Sequence, residues 1–395
     1  MPRGFHLARI AGIDVYLDWS LAIIFSLVVF SLGAVAFPSW HPEWSAATSG
    51  VTAVAAAILF FASVLIHELS HALVGRRYGI EVPTITLFVF GGMAQMREEP
   101  QAWRPELMMA IAGPITSLVL GGMFIWLGTL SAGPLPDTSD PLVFLSALNP
   151  LATVFFWLGP INLLLGVFNM VPGFPLDGGR VLRAALWGIS GDIVRATRWA
   201  SNAGRFVAWL LIATGFSMVI GIPVPYLGTG LLGGLWLALI GWFLHNAAVA
   251  GYRQLLVRES LLTVPVGQLM STVQATVPPG LTVQQFIDEY LLRGEQRAFA
   301  VLDGGRLAGW VSLRDVHRLP REEWRSRLVT DIMTGADALV TARPESNGAE
   351  ALSALNKRNL NQLPVLDGEG RLRGIIRRED LLRWLAVYGD SRLVS

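Results

Sequence analysis

The sequence contains no cysteine. Disulfides and thiolate ligands are therefore excluded, and any metal site must be built from histidine and carboxylate. Charge is also scarce, at 15% of 395 residues against 53% hydrophobic, and the scarcity is uneven. Up to about Tyr252 the charged residues are few and lie between apolar runs. Beyond Arg253 the chain reads as an ordinary soluble domain. The formal net charge of +1 averages two regimes and says little about partners; nucleic acid is not expected among them.

Lysine and arginine are missing altogether from three segments, Pro38–Gly50, Ser131–Leu151 and Pro223–Thr229. These alternate with six apolar runs near Trp19–Phe37, Val51–Val74, Glu106–Leu130, Ala152–Val171, Phe206–Ile222 and Gly230–Ala250, each about long enough to span a bilayer. Arg3, Arg9, Arg76, Arg77, Arg97, Arg104, Arg180, Arg183, Arg195, Arg198, Arg205, Arg253 and Arg258 all fall on the other side of those runs. The excess of positive charge on one side predicts a multi-pass protein of the plasma (inner) membrane with both termini cytoplasmic. Ala34-Val35-Ala36 resembles a signal-peptide cleavage site, but the apolar run before it is long for a signal, and the first span is expected to be retained.

The second run holds His67-Glu68-Leu69-Ser70-His71. Residues four apart share a helix face, so the two histidines project together one turn apart. This is the H-E-x-x-H arrangement, in which the histidines bind zinc and the glutamate is the general base toward water. The pattern also arises by chance in soluble proteins. Within a membrane helix each acid costs about 2.5 kcal/mol or more at the centre, which argues against accident. His67 lies nine residues before Arg76, about 13 Å below the cytoplasmic face at 1.5 Å per residue. Water must therefore reach it through a polar cavity.

Two further segments bear on that cavity. Gly79–Met96 is rich in β-branched and aromatic residues and ends near Gly91-Gly92. It reads as a strand pair dipping in from the cytoplasm, with an ordinary cytoplasmic hairpin as the alternative. Asn169–Arg180, NMVPGFPLDGGR, ends a span and returns through Pro172 and Pro175 to Asp177, the single acid between Pro141 and Gly191. A third zinc ligand must here be a carboxylate, and Asp177 is a candidate; on these residues alone it serves equally as a helix N-cap. Asn169 could donate to a developing oxyanion or simply bond between helices.

Taken together, these motifs resemble the site-2 protease family of intramembrane zinc metalloproteases (peptidase family M50), in the branch with a cytoplasmic pair of CBS domains. HELSH matches the family's zinc motif. Phe168-Asn169-Met170-Val171-Pro172 with Pro175-Leu176-Asp177-Gly178-Gly179-Arg180 matches its second signature. Phe90-Gly91-Gly92, Glu98-Glu99-Pro100 and Ala110-Ile111-Ala112-Gly113-Pro114 are also family-like. The resemblance covers nearly the whole chain, without the PDZ-like insertion that many bacterial relatives carry. It implies His67, His71 and Asp177 as ligands of one Zn2+, Glu68 as the base, Asn169 as a substrate or oxyanion contact, and Gly91-Gly92 as part of a strand that pairs with unwound substrate. The open edge of that strand is expected along Thr84–Phe90.

The tail repeats itself. Val301–Val311 recurs as Val365–Ile376, and Val266–Met270 as Thr330–Met333, in units of about 60 residues. The pair resembles CBS domains, which implies an adenine nucleotide (AMP, ADP or ATP) or a homodimer contact. The first copy keeps Gly309, Ser312 and Asp315; the second keeps Gly374 and Asp380 but has Arg377 in place of the hydroxyl residue.

The expected architecture is thus a polytopic α-helical membrane protein, of about six transmembrane helices with a short membrane-associated β segment, followed by a cytoplasmic α/β CBS pair. The boundaries are 1–252 for the protease domain, 253–263 for a linker, and 264–325 and 326–395 for the two CBS units. The expected function is zinc-dependent endoproteolysis within transmembrane segments of membrane proteins, an anti-sigma factor or similar signalling protein being the kind of substrate. The alternative is a CBS-regulated transporter or channel that uses the His/Glu/Asp cluster for ion passage; such a fold should show inverted repeats, and none is visible.

Overall fold

The computed structural model describes residues 4–96, 100–134, 140–225, 228–273, 275–293, 296–358 and 360–388. Arg3, Arg97, Glu98 and Glu99 lie outside the described residues. The chain divides into two compact units, Met1–Tyr252 and Arg253–Ser395.

Among the described residues, six helices of the chain are long and apolar enough to cross a membrane: α1 (Ser20–Trp40), α2 (Ala46–Arg77), α3 (Trp103–Ser131), α4 (Pro150–Asn169), the helix Ile193–Val219 and the helix Leu231–Leu262. A shorter helix, α5 (Asp177–Ser190), precedes the last two, which become α6 and α7. Side-chain caps start several of them. Ser45 accepts from the Thr48 N–H ahead of α2, Asn149 from Ala152 ahead of α4, and Asp192 from Arg195 ahead of α6. Helix α5 ends on Gly191 in the left-handed conformation, at φ 69°.

The helices outrun the apolar windows read from sequence. Helix α6 begins at Ile193 rather than near Phe206, because Arg195, Arg198 and Arg205 are carried on the helix itself. Good helix formers continue a hydrogen-bonded ladder past the point where hydrophobicity stops. Helices α3 and α4 approach closely: a Cβ at Gly159 would press on Ile125, and one at Gly166 on Leu118 and the Pro114 carbonyl. Many outward residues are large and apolar, among them Ile23, Phe30, Val51, Trp126, Leu164, Phe206 and Leu232. That surface suits a lipid surround.

A four-stranded sheet accompanies the helices, in the order β1 (Gly4–Ile10), β2 (Ile13–Asp18), β3 (Thr84–Phe88), β4 (Gly91–Gln95). Strands β1 and β2 form a hairpin, β2 runs parallel to β3, and β3 is antiparallel to β4 with Leu87 opposite Gly92. The expected strand pair at Gly79–Met96 is therefore present, and the N-terminal hairpin that extends it was not anticipated. The open edge does not run along Thr84–Phe90 as expected. The strand Thr84–Phe88 is interior, paired on both sides, and the open edge on this side is β4. The sheet packs Ile13, Ile85 and Leu87 against Val64 and Ala72 of α2, while Arg76 at the end of α2 donates to the Ala11 carbonyl in the β1–β2 turn.

The second unit contains a sheet of β5 (Thr276–Val277), β6 (Ala298–Asp303), β7 (Arg306–Ser312) and β8 (Thr334–Gly335), and a pair β9 (Gln362–Leu366) and β10 (Leu372–Arg377). The two repeats exchange their leading segments. Val266 and Leu269 are buried with Leu355, Leu363 and Ile376 of the second repeat. Val329, with Ile332 and Met333 against it, joins Phe286, Phe299 and Val311 of the first. Ser271 bridges to Ile375, as Thr334 pairs with Trp310. Residues 253–262 are helical, as the end of α7.

Candidate metal centre

Three donor atoms meet on the inner face of α2. His67 Nε2 and His71 Nε2 lie 3.2 Å apart, and each is 3.1 Å from Asp177 Oδ2. Both imidazoles are buried, and the three ligand atoms fall within 4.8 Å of one another.

Helix α3 orients the rings. His71 Nδ1 lies 2.7 Å from the Met109 carbonyl, which can only accept; Nδ1 therefore carries a proton, and in the neutral ring this leaves Nε2 as the metal-binding nitrogen. His67 Nδ1 is hydrogen-bonded to Ser117 Oγ at 2.8 Å. With the outer nitrogens engaged, two ring nitrogens and a carboxylate oxygen face one point. Two histidines with one carboxylate are a common zinc donor set of hydrolases, completed by an open position, and the residues present fit such an ion. Gly113 makes the room: a Cβ there would overlap Nε2 of both histidines.

Asp177 arrives from a different element. It is the first residue of α5, whose N-cap is Leu176 without a side-chain cap bond. The N-cap reading of Asp177 is thus not the arrangement found, because its carboxylate turns to the histidines instead. The preceding turn is held by the Phe174 N–H donating to the Ala200 carbonyl and by Gly204, where a Cβ would overlap the Phe174 backbone.

Glu68 is half-buried next to this cluster and interacts electrostatically with His71, His67, Asp177 and Arg180. Gly92 of β4 lies directly on it: a Cβ at Gly92 would overlap the Glu68 side chain. Gly91, at φ 126°, needs the freedom of glycine to open that strand. The sheet edge therefore passes over the candidate base. Asn169 closes α4, half-buried; among the described residues its side chain makes no hydrogen bond.

The tail residues sort differently from expectation. Ser312 donates from its N–H (2.9 Å) and its hydroxyl (2.6 Å) to Asp315 Oδ2, closing a cap on the helix Leu313–His317. Asp380 accepts from the Arg377 N–H and from the Ser271 hydroxyl, both at 3.0 Å. The hydroxyl absent at position 377 is thus replaced by one from the exchanged leading segment. A cleft beside Asp380 is lined by Gln268, Ser271, Arg383 and Trp384.

No sequence pattern marks Met109, Ser117 or Glu106, the partner of Arg183, as part of the site. Ser117 offers no sequence signal beyond being a hydroxyl in an apolar span; Gly113 lies within Ala110–Pro114.

A His/His/carboxylate centre inside a bundle of membrane-length helices, beside a glutamate and an open strand edge, defines a membrane-embedded metallopeptidase. Comparison with known proteins agrees. Residues 55–149 and 143–211 match the model for Peptidase family M50, and residues 266–322 and 329–387 match that for the CBS domain. The chain is 36% identical over 394 residues to "Putative zinc metalloprotease Rip3" of Mycobacterium tuberculosis, covering 98% of this chain and 94% of that protein. It is 31% identical over 390 residues to "Putative zinc metalloprotease sll0528" of Synechocystis sp., covering 98% and 96%. It is 26% identical over 387 residues to "Zinc metalloprotease MJ0392" of Methanocaldococcus jannaschii, covering 98% and 97%. The chain belongs to peptidase family M50, as a multi-pass zinc metalloendopeptidase of the site-2 protease type with a CBS pair. Similarity to metalloproteases along nearly the full length leaves the transporter reading unsupported.

Proposed function

We propose that this protein cuts the transmembrane segments of membrane-protein substrates, with one zinc held by His67, His71 and Asp177. The observation that carries this reading is the convergence of the two Nε2 atoms and Asp177 Oδ2. Zinc, when bound, polarises the scissile carbonyl and makes water a nucleophile near neutral pH. Glu68 accepts the proton from the attacking water and returns it to the leaving amine. Asn169 donates from its side-chain amide to the carbonyl oxygen as charge develops there. Residues 1–252 form this protease domain, in the plasma membrane with both termini cytoplasmic; 253–263 link it to CBS units at 264–325 and 326–395.

Purified protein is expected to retain about one zinc per chain and to cleave a membrane-spanning test substrate. Chelation should abolish cleavage and zinc should restore it. Cleavage that survives complete metal removal would sink the reading.

A spanning substrate is helical, with its own backbone bonds satisfied, so it must unwind before hydrolysis. Strand β4, with Gly91 and Gly92, supplies an edge for the opened segment to pair with. Alternate N–H groups of β4 point away from β3. In a proline scan of Met93, Ala94 and Gln95, the outward positions should lose on the order of tenfold in turnover with zinc content intact. Full turnover in all three variants would exclude a substrate role for this edge.

Ser312, Asp315 and Asp380 are proposed to contact an adenine nucleotide, carboxylates accepting from ribose hydroxyls. Its effect on proteolysis requires different affinities for the open and closed protease, a coupling on the order of 1–3 kcal/mol. Calorimetry of the full chain against Asp380→Ala and Asp315→Ala should show weakened binding in each variant. Wild-type protein giving no heat with AMP, ADP or ATP would leave the CBS pair as a homodimer contact alone. An anti-sigma factor or similar single-span signalling protein is the proposed class of substrate.

A further inference from the structure

We infer that the buried ion pair of Glu106 with Arg183 positions Asp177, so that one face of α3 orients all three metal donors; this rests on the proposed reading of Asp177 as a ligand. Glu106 stands in the first turn of α3 and Arg183 in the middle of α5, at 2% and 7% exposure. Arg183 Nε donates to Glu106 Oε1 at 2.7 Å, and the terminal nitrogen Nη2 donates to the same oxygen. The guanidinium carbon also sits 5.1 Å from the ring centroid of Phe174, in the turn that delivers Asp177.

The spacing along α3 carries the argument. Glu106, Met109, Gly113 and Ser117 follow at intervals of three, four and four, which is one helix face. Met109 holds His71, Ser117 holds His67, and Gly113 leaves space for both rings. Glu106 extends the same face to the helix that bears the third donor. A single rigid element thus references ligands that come from two others.

Stability alone is a poor reason for such a pair. Removing two charges from water costs several kcal/mol each, and buried pairs are often no better than apolar contacts of the same volume. Here the fork is also incomplete, since Glu106 Oε2 has no partner among the described residues. What a charged, two-pronged bond adds is direction. Apolar contacts such as Trp103 against Gly188 hold α5 to α3 without fixing its rotation. Rotation of α5 is what would swing the Asp177 carboxylate off the histidines. Glu106 and Arg183 are therefore positioning residues, acting through Asp177.

The test measures zinc affinity of the full-length protein by competition with a chelator, for Glu106→Gln and Arg183→Lys, each alone and combined with Asp177→Ala. Glu106→Gln and Arg183→Lys should each weaken zinc about 10- to 100-fold, and should alter the visible absorption of the cobalt-substituted protein. Combined with Asp177→Ala, neither should weaken zinc further by more than about twofold, because the group they position is gone. Equal losses with and without Asp177 would overturn the inference, as would unchanged affinity and spectrum in both single variants. If Glu106→Gln fails to fold, Arg183→Lys carries the comparison, since it keeps the charge and loses only the fork. Asp177→Ala by itself separates the two readings: unchanged zinc affinity there would refute the ligand assignment rather than the positioning role.

Discussion

Glu68→Gln is expected to lower turnover by about 10²- to 10⁴-fold while zinc stays bound. The amide is nearly the same size as the carboxylate, so the packing of Glu68 beneath Gly92 survives. What is lost is a group that can hold a proton between the attacking water and the leaving amine. The ligand atoms belong to His67, His71 and Asp177, and their supports, Met109 and Ser117, are untouched. Metal analysis and cleavage of a spanning substrate, measured on the same preparation, check both halves. Full activity would remove Glu68 as the base, and lost zinc would make it part of the donor set.

Gly113→Ala is the second large effect, and it adds only one methyl group. A Cβ at this position would overlap Nε2 of His67 and of His71 together. The imidazoles cannot both retreat, because their outer nitrogens are tied to α3 itself, through Ser117 and the Met109 carbonyl. Zinc affinity should fall at least about tenfold, and activity with it. Gly122→Ala is the control. It lies on the same helix with open space where the methyl would go, and should leave zinc content and turnover unchanged. Equal behaviour of the two variants would show that the ring positions are not set by α3.

Much of the centre was legible in one dimension because its first two donors are local. His67 and His71 are four residues apart, and helical periodicity alone puts them on one face. Six membrane helices were legible for a similar reason: the hydrophobic cost of a span is summed over contiguous residues. Their ends were not, since a helix continues on backbone hydrogen bonding after the apolar run stops, as α6 does through Arg195, Arg198 and Arg205. The β3–β4 pair was read from its composition. Which of its strands is the open edge could not be, because that depends on β2, which is supplied from a hairpin some 70 residues earlier in the chain.

Residue identity alone sets the chemistry available: no thiolate, two histidines and a glutamate in an apolar helix, one distant acid in LDGGR, and a repeated tail. It also determined the periodic elements, since these follow from interactions within a few residues. Long-range packing is what turns Asp177 to the histidines instead of leaving it to cap its own helix, gives α3 the supports for both rings, and brings Glu106 to Arg183 across 77 positions. It likewise decided that Ser271 replaces the hydroxyl missing at Arg377, through exchange of leading segments between the repeats. The physical reason is common to all four. Each is a contact between elements remote in sequence, selected by shape and polar satisfaction after the elements exist, and no local pattern of residue types encodes which partners will meet.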